Sequence, residues 1–178
     1  MRNTRFIALT GIILVAALSR LVPHPPNVTP ITAMALFGGV YFSDKRLAFL
    51  IPFIAMLLSD LVLGLHSLLA IVYLSFGLIV CIGMWLRSRR TAPRIVFAAF
   101  LSSVLFFILT NFGVWILTSM YPRTLEGFIS CYTAAIPFFR NTLLADLAYT
   151  SVLFGGWSLL EAWLPALREN AFAEAGNL

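Results

Sequence analysis

The chain has 178 residues, of which 61% are hydrophobic and 11% are charged, and its formal net charge is +5. This composition excludes an ordinary soluble domain, because one small core could not bury so much apolar surface, and it predicts an integral membrane protein. The basic residues lie in short clusters between apolar segments, so the net charge indicates membrane topology rather than nucleic-acid binding.

Six apolar segments follow one another along the chain, each bounded by charged residues or by proline. A membrane-crossing helix needs about 17 to 25 residues, so the second segment is short for a crossing. We interpret residues 1–178 as a single transmembrane domain, an all-α bundle of six transmembrane helices followed by a cytoplasmic tail at 165–178. The predicted spans are 6–22, 29–42, 47–65, 67–86, 95–120 and 140–164.

The distribution of basic residues supports six crossings. With a cytoplasmic N-terminus, nine of the 12 basic residues fall inside, namely Arg2, Arg5, Lys45, Arg46, Arg87, Arg89, Arg90, Arg94 and Arg168. The other three, Arg20, Arg123 and Arg140, fall outside. This is the bias expected of a multi-pass membrane protein with both termini in the cytoplasm.

The loop between the first two segments, residues 20–30, is rich in proline. Proline fixes φ, lacks a backbone donor and pushes the preceding residue towards extended geometry, so this stretch cannot be a helix interior. It predicts a rigid outer lid that displays Arg20, His24 and Asn27.

The region between the fifth and last segments is apolar but does not reach the length of a crossing. Residues 128–139 are too few to span, and Pro137 precedes Arg140. We therefore predict a short re-entrant or surface-lying segment here.

Unusual polar residues gather on the outer side of this topology. Ionisable side chains at membrane depth tend to face the bundle interior or a wet cavity and to pair. We predict an outward-facing ligand pocket formed by Arg20, His24, Asn27, Asp60, His66, Asn111, Trp115, Arg140, Asn141 and Asp146. The alternative is that the arginines and aspartates of this set only neutralise one another and hold helices together.

The last segment carries its polar residues at helical spacing. Thr142, Asp146 and Thr150 follow an i, i+4 pattern and share one face. Such a stripe faces protein or water, and interhelical hydrogen bonding explains it as well as ligand binding does.

Enzymatic function is not expected. The chain lacks a His-Glu-x-x-His motif, a Gly-x-Ser-x-Gly elbow and a phosphate-binding Gly-x-x-x-x-Gly-Lys loop. Cys81 and Cys131 match no metal-ligand spacing. We therefore predict no cofactor and no metal.

Four runs carry a resemblance over nearly the whole chain. They are RLVPHPPNVTPITAMALFGG at 20–39, SDLVLGLH at 59–66, TNFGVW at 110–115 and AAIPFFRNTLLAD at 134–146. They resemble a family of small bacterial membrane proteins that is similar to the S components of energy-coupling-factor vitamin transporters. The nearest functional analogue is a solitary cobalamin transporter.

The resemblance implies a six-helix bundle that binds a vitamin-like small molecule from outside, cobalamin being one candidate, with the first loop folding over it. The expected partners are the lipid bilayer, a small-molecule ligand and an energising ATPase module, with solitary transport as the other route of uptake. The competing hypothesis is a non-catalytic membrane scaffold whose outer charges only pair helices.

Overall fold

The computed structural model describes residues 2–168, and within them it has six α-helices, one short 3-10 helix and no β-strand. The all-α class is therefore confirmed. The helices are α1 (Arg2–Ser19), α2 (Ile31–Tyr41), α3 (Lys45–Leu63), α4 (Leu69–Leu86), α5 (Ala92–Leu117) and α6 (Leu125–Trp163), and Pro165–Leu167 forms the 3-10 helix.

Four of these helices, α3 to α6, are long and apolar enough to cross a membrane. Their outward surfaces expose many large aliphatic and aromatic side chains, which suits contact with lipid. The protein is accordingly a helical membrane protein by the length and composition of its helices. Helix α2 has 11 residues, or about 16 Å at the usual rise, and is too short to cross alone.

Helix α2 forms the centre of the bundle. Every residue from Ile31 to Tyr41 is buried, and the helix contacts each of the other five helices. Its closest approach is to α4, where a Cβ atom on Gly39 would lie 2.3 Å from the carbonyl oxygen of Val80 and 2.9 Å from the Cα atom of Gly83. Glycine is needed at this crossing because any side chain would force the two backbones apart.

The C-terminal end of α2 is held by Arg87, the residue after α4. Its guanidinium donates to the carbonyl oxygens of Gly39 at 3.0 Å and Ser43 at 2.9 Å, and to that of Phe42. Helix C-terminal carbonyls lack intrahelical partners and carry partial negative charge, so an arginine satisfies them and offsets that charge.

The beginning of α1 packs against the end of α6 through a buried arginine. Arg5 donates to Glu161 at 2.8 Å and to the carbonyl oxygen of Leu167, and its guanidinium lies 5.3 Å from the ring centroid of Trp157. The first turns of α1 and the last turns of α6 therefore lie at one end of the bundle, which we call the basic end. The opposite end, with residues 20–30 and 64–68, is the lid end. Residues 169–178 of the predicted tail lie outside the described residues.

The prediction of a re-entrant or surface-lying segment before the last helix is wrong. One continuous helix of 39 residues runs from Leu125 to Trp163, with Thr124 as its N-cap accepting from the amide of Gly127 at 3.2 Å. Pro137 lies inside this helix and costs it one backbone hydrogen bond. The loss is tolerated because aromatic packing against α5 holds both sides of the proline, with Tyr132 and Phe139 each on Phe107.

Candidate functional site

Two adjoining cavities lie at the lid end. The first, which we call the Asp146 cavity, has a volume of about 200 Å³. The second, the Asn111 cavity, has a volume of about 280 Å³. They are neighbours because four residues line both of them, namely Asn27, Val72, Phe106 and Thr142.

Asp146 is the buried carboxylate of the first cavity. Only 2% of its surface is exposed, and its Oδ2 accepts a hydrogen bond of 2.6 Å from the hydroxyl of Ser103 on α5. The hydroxyl of Thr32, in the first turn of α2, also hydrogen-bonds to it. Both partners are neutral, and among the side chains described, those of residues 4–168, no arginine or lysine forms an ion pair with Asp146.

Arg20 forms another wall of the Asp146 cavity and already has a counter-ion. Its Nη2 atom lies 2.7 Å from Oδ1 of Asp60, and the side chains of both residues are at least nine-tenths buried. The guanidinium also donates to Ser59, and Tyr73 donates to Oδ2 of Asp60 at 3.0 Å. The pair joins the end of α1 to α3 and α4, so the pairing hypothesis accounts for Arg20 and Asp60 but not for Asp146.

The loop at residues 20–30 lies beside both cavities. Asn27 lines each of them and has a φ of 64°, in the left-handed region that asparagine tolerates better than most residues. The side-chain amide of Asn141 donates to the carbonyl oxygen of Pro26 at 3.3 Å and ties the loop to α6. His66, in the loop between α3 and α4, lines the Asp146 cavity.

Five of the ten predicted site residues line the cavities: Arg20, Asn27, His66, Asn111 and Asp146. Two others contact these residues or the loop, since Asp60 pairs with Arg20 and Asn141 binds Pro26.

The remaining three residues lie elsewhere. His24 is exposed, with its Nδ1 atom 3.0 Å from the carbonyl oxygen of Pro25. Trp115 donates from Nε1 to the carbonyl oxygen of Pro122 at 3.0 Å and so holds the turn between α5 and α6. Arg140 is exposed on α6 and lines neither cavity.

Several lining or supporting residues gave no decisive signal in the sequence. The polar stripe of α6 did indicate Thr142, and Thr142, Asp146 and Thr150 are all buried. Thr32 and Ser103, however, are hydroxyl residues within apolar runs, Ser103 being adjacent to Ser102, and such residues usually bind their own helix backbone. The phenylalanines at 106, 107, 138 and 139 were not among the predicted site residues, but all four line the Asn111 cavity.

Comparison with known protein families gives a match over most of the chain. The profile described as "Family of unknown function (DUF6580)" matches residues 1–167. The chain belongs to the DUF6580 family. No curated protein and no solved structure matches it.

The DUF6580 match includes every residue that lines the two cavities, but the family description names no activity. No comparison links this DUF6580 chain to the S components or to cobalamin transport. Within residues 2–168 there is also no group of three or more His, Cys, Asp or Glu side chains that could hold a metal ion. The arrangement is suited to non-covalent binding of a solute by hydroxyls, amides and one carboxylate.

Proposed function

We propose that this DUF6580 protein is a membrane transport protein that binds a small organic solute in a pocket at the lid end for uptake across the bacterial inner membrane. The observation that carries the proposal is Asp146, a buried carboxylate that lines a cavity and has only neutral partners. A buried charge without a counter-ion is costly, so its presence in a cavity supports binding better than it supports structure.

The size and chemistry of the cavities favour a solute smaller than a corrinoid. Ligand pockets usually have volumes of about 300 to 1,000 Å³, and the two adjoining cavities, at about 200 and 280 Å³, are each below that range and reach its lower part only together. Their walls combine phenylalanine rings with a few amides and hydroxyls, which is the usual composition of a small-molecule site.

The topology proposed for this function has six crossings, an organisation like that of the S components, and both termini in the cytoplasm. The lid end then faces outwards, and the arginine-rich basic end faces the cytoplasm, in agreement with the positive-inside rule. Release to the cytoplasm would use either an ATPase module or slow solitary transport.

A membrane scaffold is the second candidate function. Its support is the pair of interhelical ion pairs, between Arg20 and Asp60 and between Arg5 and Glu161, which join helices at opposite ends of the bundle. A scaffold needs these contacts but has no use for a cavity that contains an unpaired carboxylate.

A solute screen on the purified full-length protein in lipid nanodiscs distinguishes the two functions. Thermal unfolding would be followed by tryptophan fluorescence in the presence of vitamins, amines, organic acids and neutral polar solutes. We expect at least one solute to raise the Tm of the wild type, and we expect Thr142→Val to reduce that rise because Thr142 lines both cavities.

Ser151→Ala is the matched control, because the Ser151 hydroxyl is exposed and binds the backbone oxygen of Leu147 on its own helix. This variant should respond as the wild type does. A wild type that is unresponsive to every solute class would favour the scaffold, and an equal response in Thr142→Val would mean that the solute binds away from the two cavities.

A further inference from the structure

One carboxyl group at the Asp146 cavity has no counter-ion. Arg20 and Asp146 both line the cavity, and Arg20 pairs with Asp60 at 2.7 Å. Tyr73 donates its hydroxyl hydrogen to Asp60 and adds no charge to this pair. Asp146 is left with two hydroxyl partners and no cation among the described residues.

The N-terminus of α2 is one source of positive potential at Asp146. Thr32 belongs to the first turn of that helix and hydrogen-bonds to Asp146. A helix N-terminus supplies about half an elementary charge, so it offsets a carboxylate only in part. His66 lines the same cavity, but its side chain is exposed at the rim, where water solvates it.

The second cavity supplies a surface that suits the body of an organic cation. Four phenylalanine side chains line it, and the face of an aromatic ring attracts a positive group as well as apolar atoms. Asn27 and Thr142 lie at the boundary with the Asp146 cavity, so one solute can reach both. An anionic solute would find no free cation here, because the charge of Arg20 is already paired.

We infer that the solute is a small organic cation, whose ammonium or amidinium group takes Asp146 as its counter-ion and whose apolar body lies among the phenylalanines of the Asn111 cavity. This inference rests on the proposed function and adds the substrate class to it. The cation replaces the missing positive partner of Asp146, and Arg20 Nε, which has no hydrogen-bond partner among the described residues, can donate to a polar atom of the solute.

Three probes of matched size and different charge test this inference, namely 2-phenylethylammonium, 2-phenylethanol and phenylacetate. Binding to the full-length protein in nanodiscs would be measured by isothermal titration and by the shift in Tm. We expect the cation to bind at least roughly tenfold more tightly than the alcohol, which corresponds to one good charge-assisted contact. Phenylacetate should bind most weakly of the three.

The Asp146→Asn variant supplies the second arm of the test. It keeps the shape of the side chain and can still accept from Ser103, but it removes the charge. We expect the preference for the cation over the alcohol to fall to less than about threefold. Ser151→Ala should retain the full preference.

The outcomes separate the inference from the function on which it rests. Equal or tighter binding of the alcohol or of phenylacetate by the wild type overturns the cation assignment and leaves solute binding intact. A cation preference that survives in Asp146→Asn also overturns it, because the charge would then be recognised elsewhere. No response to any of the three probes overturns the assignment as well, and the wider solute screen then decides whether the protein binds a solute at all.

Discussion

Arg20 and Asp60 form a buried ion pair of 2.7 Å that joins the end of α1 to the last turn of α3. The two residues are 40 positions apart in the chain, and Tyr73 of α4 adds a third helix to the contact. The same guanidinium lines the Asp146 cavity, so this pair is at once a helix contact and one wall of the candidate site.

Asp60→Asn should destabilise the fold by about 3 kcal/mol, because it leaves the buried guanidinium of Arg20 without a counter-ion. Unfolding of the purified protein in mixed micelles with increasing denaturing detergent measures this loss. The double variant Arg20→Met with Asp60→Leu removes both charges and should lose less stability than Asp60→Asn alone. A single variant as stable as the wild type would mean that water or lipid headgroups solvate the pair.

Asp146→Asn, unlike Asp60→Asn, should not destabilise the ligand-free protein. Because its carboxylate has neutral partners only, removing the charge should leave stability unchanged or raise it by about 1 kcal/mol. The measurement compares the free energies of unfolding of Asp60→Asn and Asp146→Asn in the same detergent series. A loss as large as that of Asp60→Asn would indicate a positive partner for Asp146 and would contradict our assignment of its surroundings.

Gly39→Ala should destabilise the bundle by about 2 kcal/mol or more, since the new Cβ atom would lie 2.3 Å from the carbonyl oxygen of Val80. The control is Gly156→Ala on α6, where an added Cβ meets no atom within 4 Å. That variant should be neutral or slightly stabilising, because alanine favours the helix over glycine. Similar Tm values for the two variants would show that α2 and α4 separate easily.

Two variants of Asn27 separate the contribution of its backbone conformation to stability from the contribution of its side chain to solute binding. Asn27→Gly should keep the Tm, because glycine adopts a φ of 64° without strain, but it should weaken solute binding through the loss of the lining amide. Asn27→Val should lower stability by about 1 kcal/mol or more, since a β-branched residue is strained at positive φ. Unchanged affinity in Asn27→Gly would exclude the amide from the binding surface.

Apolar length and the positions of charges were enough to predict the class of fold and the end of the bundle where the candidate site lies. They did not predict that α2 is buried inside the bundle, because an apolar sequence is the same whether lipid or protein surrounds the helix. Pro137 led to a wrong prediction for a related reason. Its local preference favours a break, and the packing of Phe139 and Tyr132 on Phe107, which overrides that preference, arises only once α5 and α6 meet.

Within the candidate site, charged and amide groups were informative, and hydroxyls within apolar runs were not. The carboxyl group of Asp146 is costly in lipid, so its occurrence in an apolar segment is itself a signal, and Arg20 and Asn27 stood out in the proline-rich loop. Ser103 carries a hydroxyl that its own helix can satisfy, and its Oγ atom lies 3.0 Å from the backbone oxygen of Ala99 and 2.6 Å from Oδ2 of Asp146, so its one hydrogen has two acceptors within reach. Only the three-dimensional structure shows that Ser103 also contacts Asp146.

The burial of α2 on all sides has a consequence for how the protein is made. A helix of 11 residues without a lipid-facing surface has no stable position in a bilayer of about 30 Å by itself. Its glycine contact with α4 and its aromatic contacts with Phe154 and Trp157 of α6 become available only when later parts of the chain have been synthesised. The second helix in sequence is thus among the last to reach its final surroundings, and Arg87 can secure its end only after α4 has followed it into the membrane.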